Sequence, residues 1–267
     1  AFGIGKAALM PLHRWLPAAM VAPTPVSALL HAVAVVKAGV FSVLKIAIYI
    51  FGLDFLATTS ASEWLIVVAS FSILAASIVA LRKSNLKARL AYSTISQLGY
   101  IVLGAALASP LAASGAALHI ATHAAGKITL FFCAGAIYVA HHLADIKDMD
   151  GLGRRMPITY AAFALAALSI IGVPPMGGAW SKFMLMAGAL DGQHLMVLVV
   201  LMVSSLLNLV YLGEIVLRGF FAPAGNVAAE GGYREAPWAV LVPLVITALI
   251  SVALFFSVDI FILEFKG

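Results

Sequence analysis

The chain alternates long apolar stretches with short polar connections. An incomplete apolar run occupies residues 1–12, and longer runs fall at 25–51, 64–81, 91–108, 112–140, 157–190, 195–220 and 237–263. Crossing a bilayer as a helix takes about 20 residues, and lipid offers the backbone no partners outside the segment. Strong, evenly spaced runs favour helices over an outer-membrane barrel, whose strands give a much weaker alternation. We predict an all-α membrane protein with about seven full transmembrane helices plus one partial helix.

Composition supports the same class. Of the 267 residues, 63% are hydrophobic and 10% are charged, and the mean hydropathy is +1.08. A soluble domain of this length cannot bury that much apolar surface. The net charge of +5 comes from scattered basic residues rather than a basic face, which argues against nucleic-acid binding. The single cysteine, Cys133, lies in an apolar run, and no phosphate-binding, nucleophile or metal-ligand motif is present. We therefore expect neither a metal nor a cofactor.

The basic loops predict an orientation. Residues 82–90 carry four basic side chains and no acidic one, which places this loop in the cytoplasm because basic loops are retained there. Alternation along the predicted helices puts further basic residues on the same side, namely Arg154, Arg155, Arg218 and Arg234. The carboxyl terminus is then expected outside.

Two stretches interrupt the helical pattern. Residues 5–25 contain four prolines directly after an apolar run, and residues 169–185 contain Pro174, Pro175, Gly177 and Gly178 within a span. Each proline removes a donor and frees a carbonyl one turn back. Broken helices at membrane depth are tolerated only against protein or a wet cavity, and they recur at transporter ion sites. A lysine lies close to each break, Lys6 before the first and Lys182 after the second.

Titratable side chains occur inside the apolar runs. His31 and Lys37 lie within PTPVSALLHAVAVVKAGVF, where a charged group costs roughly 2.5–3.5 kcal/mol on insertion scales. His119, His123 and Lys127 follow one another at four-residue spacing and therefore share one face of a helix. Histidine titrates near neutral pH, and a buried lysine shifts toward that range. Such a row linked by water can pass a proton from group to group.

Three features leave alternatives open. Lys45 lies near the outer end of its helix, where snorkelling to the interface explains it as well as function does. Glu214 could pair with a buried lysine, but an ion pair with Arg218, its i+4 neighbour, is favoured. The polar residues 92–97 could form interhelical hydrogen bonds or a solvated entrance near Lys87.

Several long motifs resemble a known family. These are GKAALMPLHRWLPAAMVAPTPVSALLHAVAVVKAGVF, NLKARLAYSTISQLGY, LHIATHAAGKITLFFCAG, DIKDMDGLGRRMP and GVPPMGGAWSKF. In this order they resemble the proton-conducting membrane family shared by Mrp-type multisubunit cation/proton antiporters and the antiporter-like subunits of respiratory complex I. The resemblance covers the chain up to about residue 220. The sequence of residues 156–183 looks most like that of the D-type subunit of Mrp antiporters.

The resemblance implies an inverted repeat of five-helix units, each with a broken helix, and half-channels joined by a central polar axis. This chain then holds the second half of the fold, with residues 1–51 as the tail of the first repeat, 52–220 as the second repeat with its break near 172–182, and 221–267 as a loop and a last transmembrane helix. The family pairs its first lysine with a glutamate on an earlier helix that is missing here. Because the chain also begins with Ala1 inside an apolar run, we expect it to be part of a longer protein.

The resemblance also implies roles for particular residues. It assigns a proton relay to Lys6, His31, Lys37, Lys87, His119, His123, Lys127 and Lys182, with Lys87 at the cytoplasmic side of the second half-channel. The implied function is a proton-translocating subunit of a Na⁺/proton antiporter in the bacterial cytoplasmic membrane, with other membrane subunits as partners. The alternatives are an antiporter-like subunit of complex I or of a membrane-bound hydrogenase, or a structural scaffold. As part of complex I, the chain would be a subunit of an enzyme, NADH:quinone oxidoreductase. As part of an antiporter, it would be a transporter subunit, so the sequence leaves open whether the chain belongs to an enzyme.

Overall fold

The computed structural model describes residues 5–30, 34–59, 62–223 and 232–259. The described residues form eleven α-helices, which are α1 (Trp15–Ala18), α2 (Thr24–Ala28), α3 (Val35–Lys45), α4 (Leu53–Thr58), α5 (Glu63–Arg82), α6 (Leu86–Ala106), α7 (Pro110–His141), α8 (Pro157–Ile171), α9 (Gly178–Asp191), α10 (Leu195–Phe221) and α11 (Trp238–Phe256). A π-helical segment, Ile46–Phe51, continues α3. The prediction of an all-helical chain is confirmed for these residues.

Among the described helices, α5, α7, α10 and α11 are the 4 that are long and apolar enough to cross a membrane. The predicted count of about seven full spans is therefore only partly met. The predicted span 157–190 is divided between α8 and α9, and 25–51 contains a short helix followed by α3. Helix α6 has 21 residues but carries two basic residues and a polar stretch in its first half. Helix breaks and polar residues thus lower the count, while the positions of the elements agree with the apolar runs.

Helix α7 occupies the centre of the bundle. It has 32 residues and packs against α6, α8, α9 and α11. Its small residues permit this crowding, since a Cβ built on Gly115 would lie 2.8 Å from Met184 Cβ of α9. Outward-facing helices expose large apolar side chains, as expected against lipid. The polar side chains of α7 therefore lie at the most enclosed position of the described fold.

The basic connections lie together at one end of the bundle. Backbone hydrogen bonds join the loop before α6 to the loop after α7, that second loop to the end of α10, and Arg155 to Arg234. The expectation that these loops share one side is confirmed. Which side of the membrane they face stays a prediction.

The ion pairs at this end include the predicted one. Glu214 Oε1 accepts from Arg218 Nε at 3.0 Å, as the i+4 spacing indicated, and Glu214 Oε2 accepts from Arg89 Nη1 at 2.6 Å. Arg218 also bonds Asp150 at 3.0 Å. Glu214 therefore joins α6 to α10 rather than pairing with a membrane lysine.

Candidate functional site

The predicted relay residues of α7, His119, His123 and Lys127, are all buried, and each contacts a different element. His123 Nδ1 lies 2.8 Å from Lys37 Nζ of α3. His119 Nδ1 lies 2.9 Å from Ser181 Oγ of α9. Lys127 Nζ donates to Ser93 Oγ of α6 at 2.6 Å and to the Leu90 carbonyl at 3.3 Å. One helix face thus connects three neighbouring helices through polar side chains.

Lys182 lies beside the break between α8 and α9. It is 2% exposed, and its ammonium group donates to the Ile171 carbonyl at 3.0 Å and to Ser205 Oγ at 3.1 Å. Ile171 ends α8, so its carbonyl lacks an intrahelical partner and is available to the lysine. The unwound segment therefore supplies the acceptor that holds Lys182 at depth.

An aromatic residue links Lys182 to the histidines. Lys182 Nζ lies 5.0 Å from the centre of the Tyr100 ring, and that ring stacks on His119 with 5.5 Å between centroids. His119 and His123 lie 6.1 Å apart by the same measure. The side chains of Lys37, His123, His119 and Lys182 therefore form one continuous row, with Lys127 one helical turn beyond His123.

The partners of the three buried lysines are neutral. Within the described residues, Lys37, Lys127 and Lys182 form no ion pair with a carboxylate, and they contact an imidazole, hydroxyls and backbone carbonyls. Carbonyls and hydroxyls accept hydrogen bonds from an amine and from an ammonium alike. Each lysine can thus gain or lose a proton without a change of partners. The described residues contain no group of three side chains suited to a metal ion.

Two other sequence-predicted residues lie apart from this row. Lys87 is half-buried and donates to the Ala22 carbonyl at 3.1 Å, where it lines a cavity of about 550 Å³ together with apolar residues such as Tyr138. Lys6 is exposed, and its backbone packs against Gly39 of α3. His31 lies outside the described residues. Lys45 is exposed and lies over the rings of Phe41 and Tyr49, at 5.7 and 5.9 Å, in agreement with snorkelling.

Sequence reasoning missed several polar residues around the buried row. It identified the polar start of α6, and the structure gives Ser93 and Ser96 of this stretch interhelical hydrogen bonds, with Ser96 bonded to Ser77 of α5 at 2.9 Å. It did not anticipate the roles of Tyr100, which contacts Lys182 and His119, of Ser181 and Ser205, which bond His119 and Lys182, or of Tyr211 and Asn208, which continue the hydrogen bonds from Ser93. Ser204, Asn208 and Tyr211 recur at helical spacing in α10, a signal that was available in the sequence.

Residues 1–208 match the protein family described as NADH:quinone oxidoreductase/Mrp antiporter, transmembrane. This stretch includes every member of the buried row. The chain belongs to this family.

Relatives within the antiporter-like family come from both of its branches. The chain is 36% identical to NADH-quinone oxidoreductase subunit N of Desulforudis audaxviator, over 92% of this chain and 51% of the relative. It is 42% identical to the A/B subunit of a probable K⁺/H⁺ antiporter of Rhizobium meliloti, over 70% of this chain and 18% of the relative. The chain thus spans about half, or less, of the length of the curated relatives it matches.

Solved structures show the same antiporter-like fold. One chain of the Mrp complex from a Dietzia species superposes with a TM-score of 0.85 at 23% identity, covering 97% of this chain and 55% of that one. One chain of the membrane-bound sulfane sulfur reductase, an archaeal respiratory membrane complex, gives a TM-score of 0.85 at 26% identity, covering 99% and 53%. The resemblance read from the motifs is therefore confirmed for the family and fold, and the chain is a multi-pass membrane protein. The D-type subunit is not distinguished from the other branches.

Proposed function

We propose that this chain is the proton-translocating subunit of a multisubunit cation/proton antiporter of the Mrp type, with Na⁺ as the exchanged cation. The observation that carries the proposal is the buried row on α7, in which His123 bonds Lys37 at 2.8 Å and His119 contacts both Ser181 and the Tyr100 ring beside Lys182. No structural role requires three lysines and two histidines at the centre of an apolar bundle, where each charge is expensive. Their adjacency supports a path for protons along the membrane midplane.

In this mechanism a proton moves between basic groups that repel one another when charged. Lys37 and Lys127 interact electrostatically, and His119 interacts with both Lys37 and Lys182. Repulsion between like charges is strong where water is excluded. Protonation at one lysine therefore disfavours a proton at the next, and a proton delivered at one end promotes release at the other. The histidines carry the charge between lysines because imidazole accepts a proton at one nitrogen and releases it from the other.

The remaining predicted residues extend this path. Lys87 is proposed to receive protons at the cytoplasmic end, and Lys6 and His31 to belong to the half-channel of the first repeat, with the repeat boundaries near residues 51 and 220. The grouping of basic loops at one end supports a cytoplasmic assignment for that end and an outer carboxyl terminus. Other membrane subunits in the bacterial cytoplasmic membrane are the proposed partners.

The test is Lys127→Ala in the full-length protein, purified as its native complex and reconstituted into proteoliposomes. We expect cation-dependent proton flux to fall by about tenfold or more, the scale of a missing acid–base group, while the complex still assembles. The matched control is Thr129→Val, two residues away on α7, where the hydroxyl bonds Thr247 outside the row. Near-normal flux in Lys127→Ala would contradict the relay. Loss of assembly in place of flux would support a scaffold.

A second candidate is an antiporter-like subunit of NADH:quinone oxidoreductase or of a membrane-bound hydrogenase. It is favoured by the alignment with an oxidoreductase subunit N over 92% of this chain. The two candidates share the relay and differ in the partners. Co-purifying iron–sulfur or flavin subunits would indicate a redox complex, and a purely membrane-embedded set of partners would indicate an antiporter.

A further inference from the structure

The cavity of about 550 Å³ beside Lys87 lies at the basic end of the bundle. Its walls come from the end of the first break, the start of α6, the last part of α7 with the loop that follows, and α11. Apart from Lys87, Thr24 and Tyr138, the residues that line it are apolar. A cavity of this volume is in the range of ligand sites and is far larger than the voids of a packed interior.

Lys87 supplies the charge of this cavity. Among the described residues that line it, Lys87 is the charged one. Its ammonium group donates to the Ala22 carbonyl at 3.1 Å, and the ion pairs of the described chain involve other residues. Because an ammonium group has three donors, two of them are available to a ligand. An anion is the ligand whose charge complements this site.

Exposed aromatic side chains place the cavity at the membrane–water interface. Tyr138, near the end of α7, is 51% exposed, and Trp238, at the start of α11, is 73% exposed. Tyrosine and tryptophan concentrate at the level of the lipid headgroups. Lys87 is the second residue of α6 and lies at the same end. From Tyr138 the apolar wall continues along α7 to Phe132, a rise of about 9 Å toward the middle of the bundle.

We propose that this cavity binds an anionic phospholipid, with its phosphate at Lys87 and part of one acyl chain against the apolar wall of α7. An ammonium group recognises a phosphate through charge and hydrogen bonds. A water-soluble phosphate ester would leave the apolar wall uncovered, and a lipid without net charge would not complement Lys87. Proton uptake at Lys87 would then depend on whether the lipid is bound. Binding itself does not depend on proton translocation, so the inference stands apart from the proposed function.

The experiment uses the full-length protein in its purified native complex, with phospholipids that carry a photoreactive group in one acyl chain. Phosphatidylglycerol should label residues 132–143 about fivefold more than phosphatidylcholine, since one basic side chain attracts an anionic lipid by about that factor. Lys87→Gln should lower labelling by phosphatidylglycerol to the level of phosphatidylcholine. Lys83→Gln is the matched control, because Lys83 lies four residues earlier over the Tyr92 ring and does not line the cavity. It should leave the labelling unchanged.

Val139→Trp tests the apolar part of the site. Val139 lines the cavity and is 50% exposed, so a larger side chain can occupy the cavity without displacing the core. Labelling by both lipids should fall by about tenfold, the effect of excluding about two methylene groups.

Three outcomes would overturn the proposed lipid site. Equal labelling by the two lipids in the native complex is the first, and unchanged phosphatidylglycerol labelling in Lys87→Gln is the second. The third is labelling that excess inorganic phosphate displaces, which would indicate an anion site without an acyl-chain site. The comparison of the two lipids needs no variant, so it decides the outcome if Lys87→Gln does not assemble.

Discussion

The two helix breaks look alike in sequence but place their lysines in different surroundings. Lys182, after the second break, is buried and bonds the Ile171 carbonyl and Ser205. Lys6, before the first break, is exposed in the described chain. Over the second break α11 packs closely, and the Gly177 amide bonds the Ser251 carbonyl at 3.1 Å. Proline and glycine open the second break, and this tertiary packing buries the lysine beside it.

At both breaks, some of the backbone groups that lack helical hydrogen bonds find other partners. At the first break the Met10 amide donates to Ser72 Oγ at 3.0 Å, and Trp15 Nε1 donates to the Gly5 carbonyl at 3.1 Å. At the second, Lys182 Nζ itself meets the freed Ile171 carbonyl. Backbone groups at membrane depth require such partners. The lysine is therefore part of the structure of the second break but not of the first.

The largest expected difference concerns the glycines of the two breaks. A Cβ on Gly178 would lie 1.8 Å from the Ser169 carbonyl oxygen, whereas a Cβ on Gly5 would meet nothing within 4 Å. Gly178→Ala should force α8 and α9 apart and destabilise the protein by about 3 kcal/mol or more, and Gly5→Ala should change stability by less than about 0.5 kcal/mol. Thermal unfolding of the purified full-length proteins measures both. Equal melting temperatures for the two variants would show that the second break tolerates separation.

The next difference concerns the lysines themselves. Lys182→Met keeps an unbranched side chain of similar length and removes the ammonium group, so proton flux should fall by about tenfold or more if the buried amine carries protons. Lys45→Met is the matched control, since Lys45 is exposed and contacts the Phe41 and Tyr49 rings, and its flux should stay within about twofold of the native rate. Flux in proteoliposomes provides the measurement. A similar loss of proton flux in both variants would mean that a lysine need not be buried to take part in proton transfer.

The sequence predicted the helix positions, the breaks and the shared face of α7, but not the contacts between helices. Apolar run lengths located the long helices, the prolines and glycines located the breaks, and the four-residue spacing placed His119, His123 and Lys127 on one face. The spacing could not show which helices meet that face, because such contacts depend on how helices pack. The bond from His123 to Lys37 joins residues 86 positions apart. The exposure of Lys6 in the described chain was equally hidden, since a lysine beside a helix break does not show what packs against it.

The polar face of α10 was missed for a different reason. Serine, asparagine and tyrosine inside an apolar run have a weaker hydropathy signal than lysine or histidine, so Ser205, Asn208 and Tyr211 did not stand out. Their importance depends on the antiparallel register with α6, which sets Ser93 opposite Tyr211 at 3.0 Å. Only the folded chain supplies that register.

The smallest expected effect concerns the support of the first break. Ser72 Oγ accepts from the Met10 amide at 3.0 Å, and Ser72 is fully buried. Ser72→Ala leaves that amide unsatisfied, so stability should fall by about 1–2 kcal/mol, far less than for Gly178→Ala, because no clash is created. Ser42→Ala is the matched control, since the exposed Ser42 hydroxyl bonds only the Ala38 carbonyl of its own helix, and its effect should be below about 0.5 kcal/mol. Melting temperatures of the two purified variants measure the difference. Equal stability would mean that the Met10 amide finds another partner and that the first break does not depend on α5.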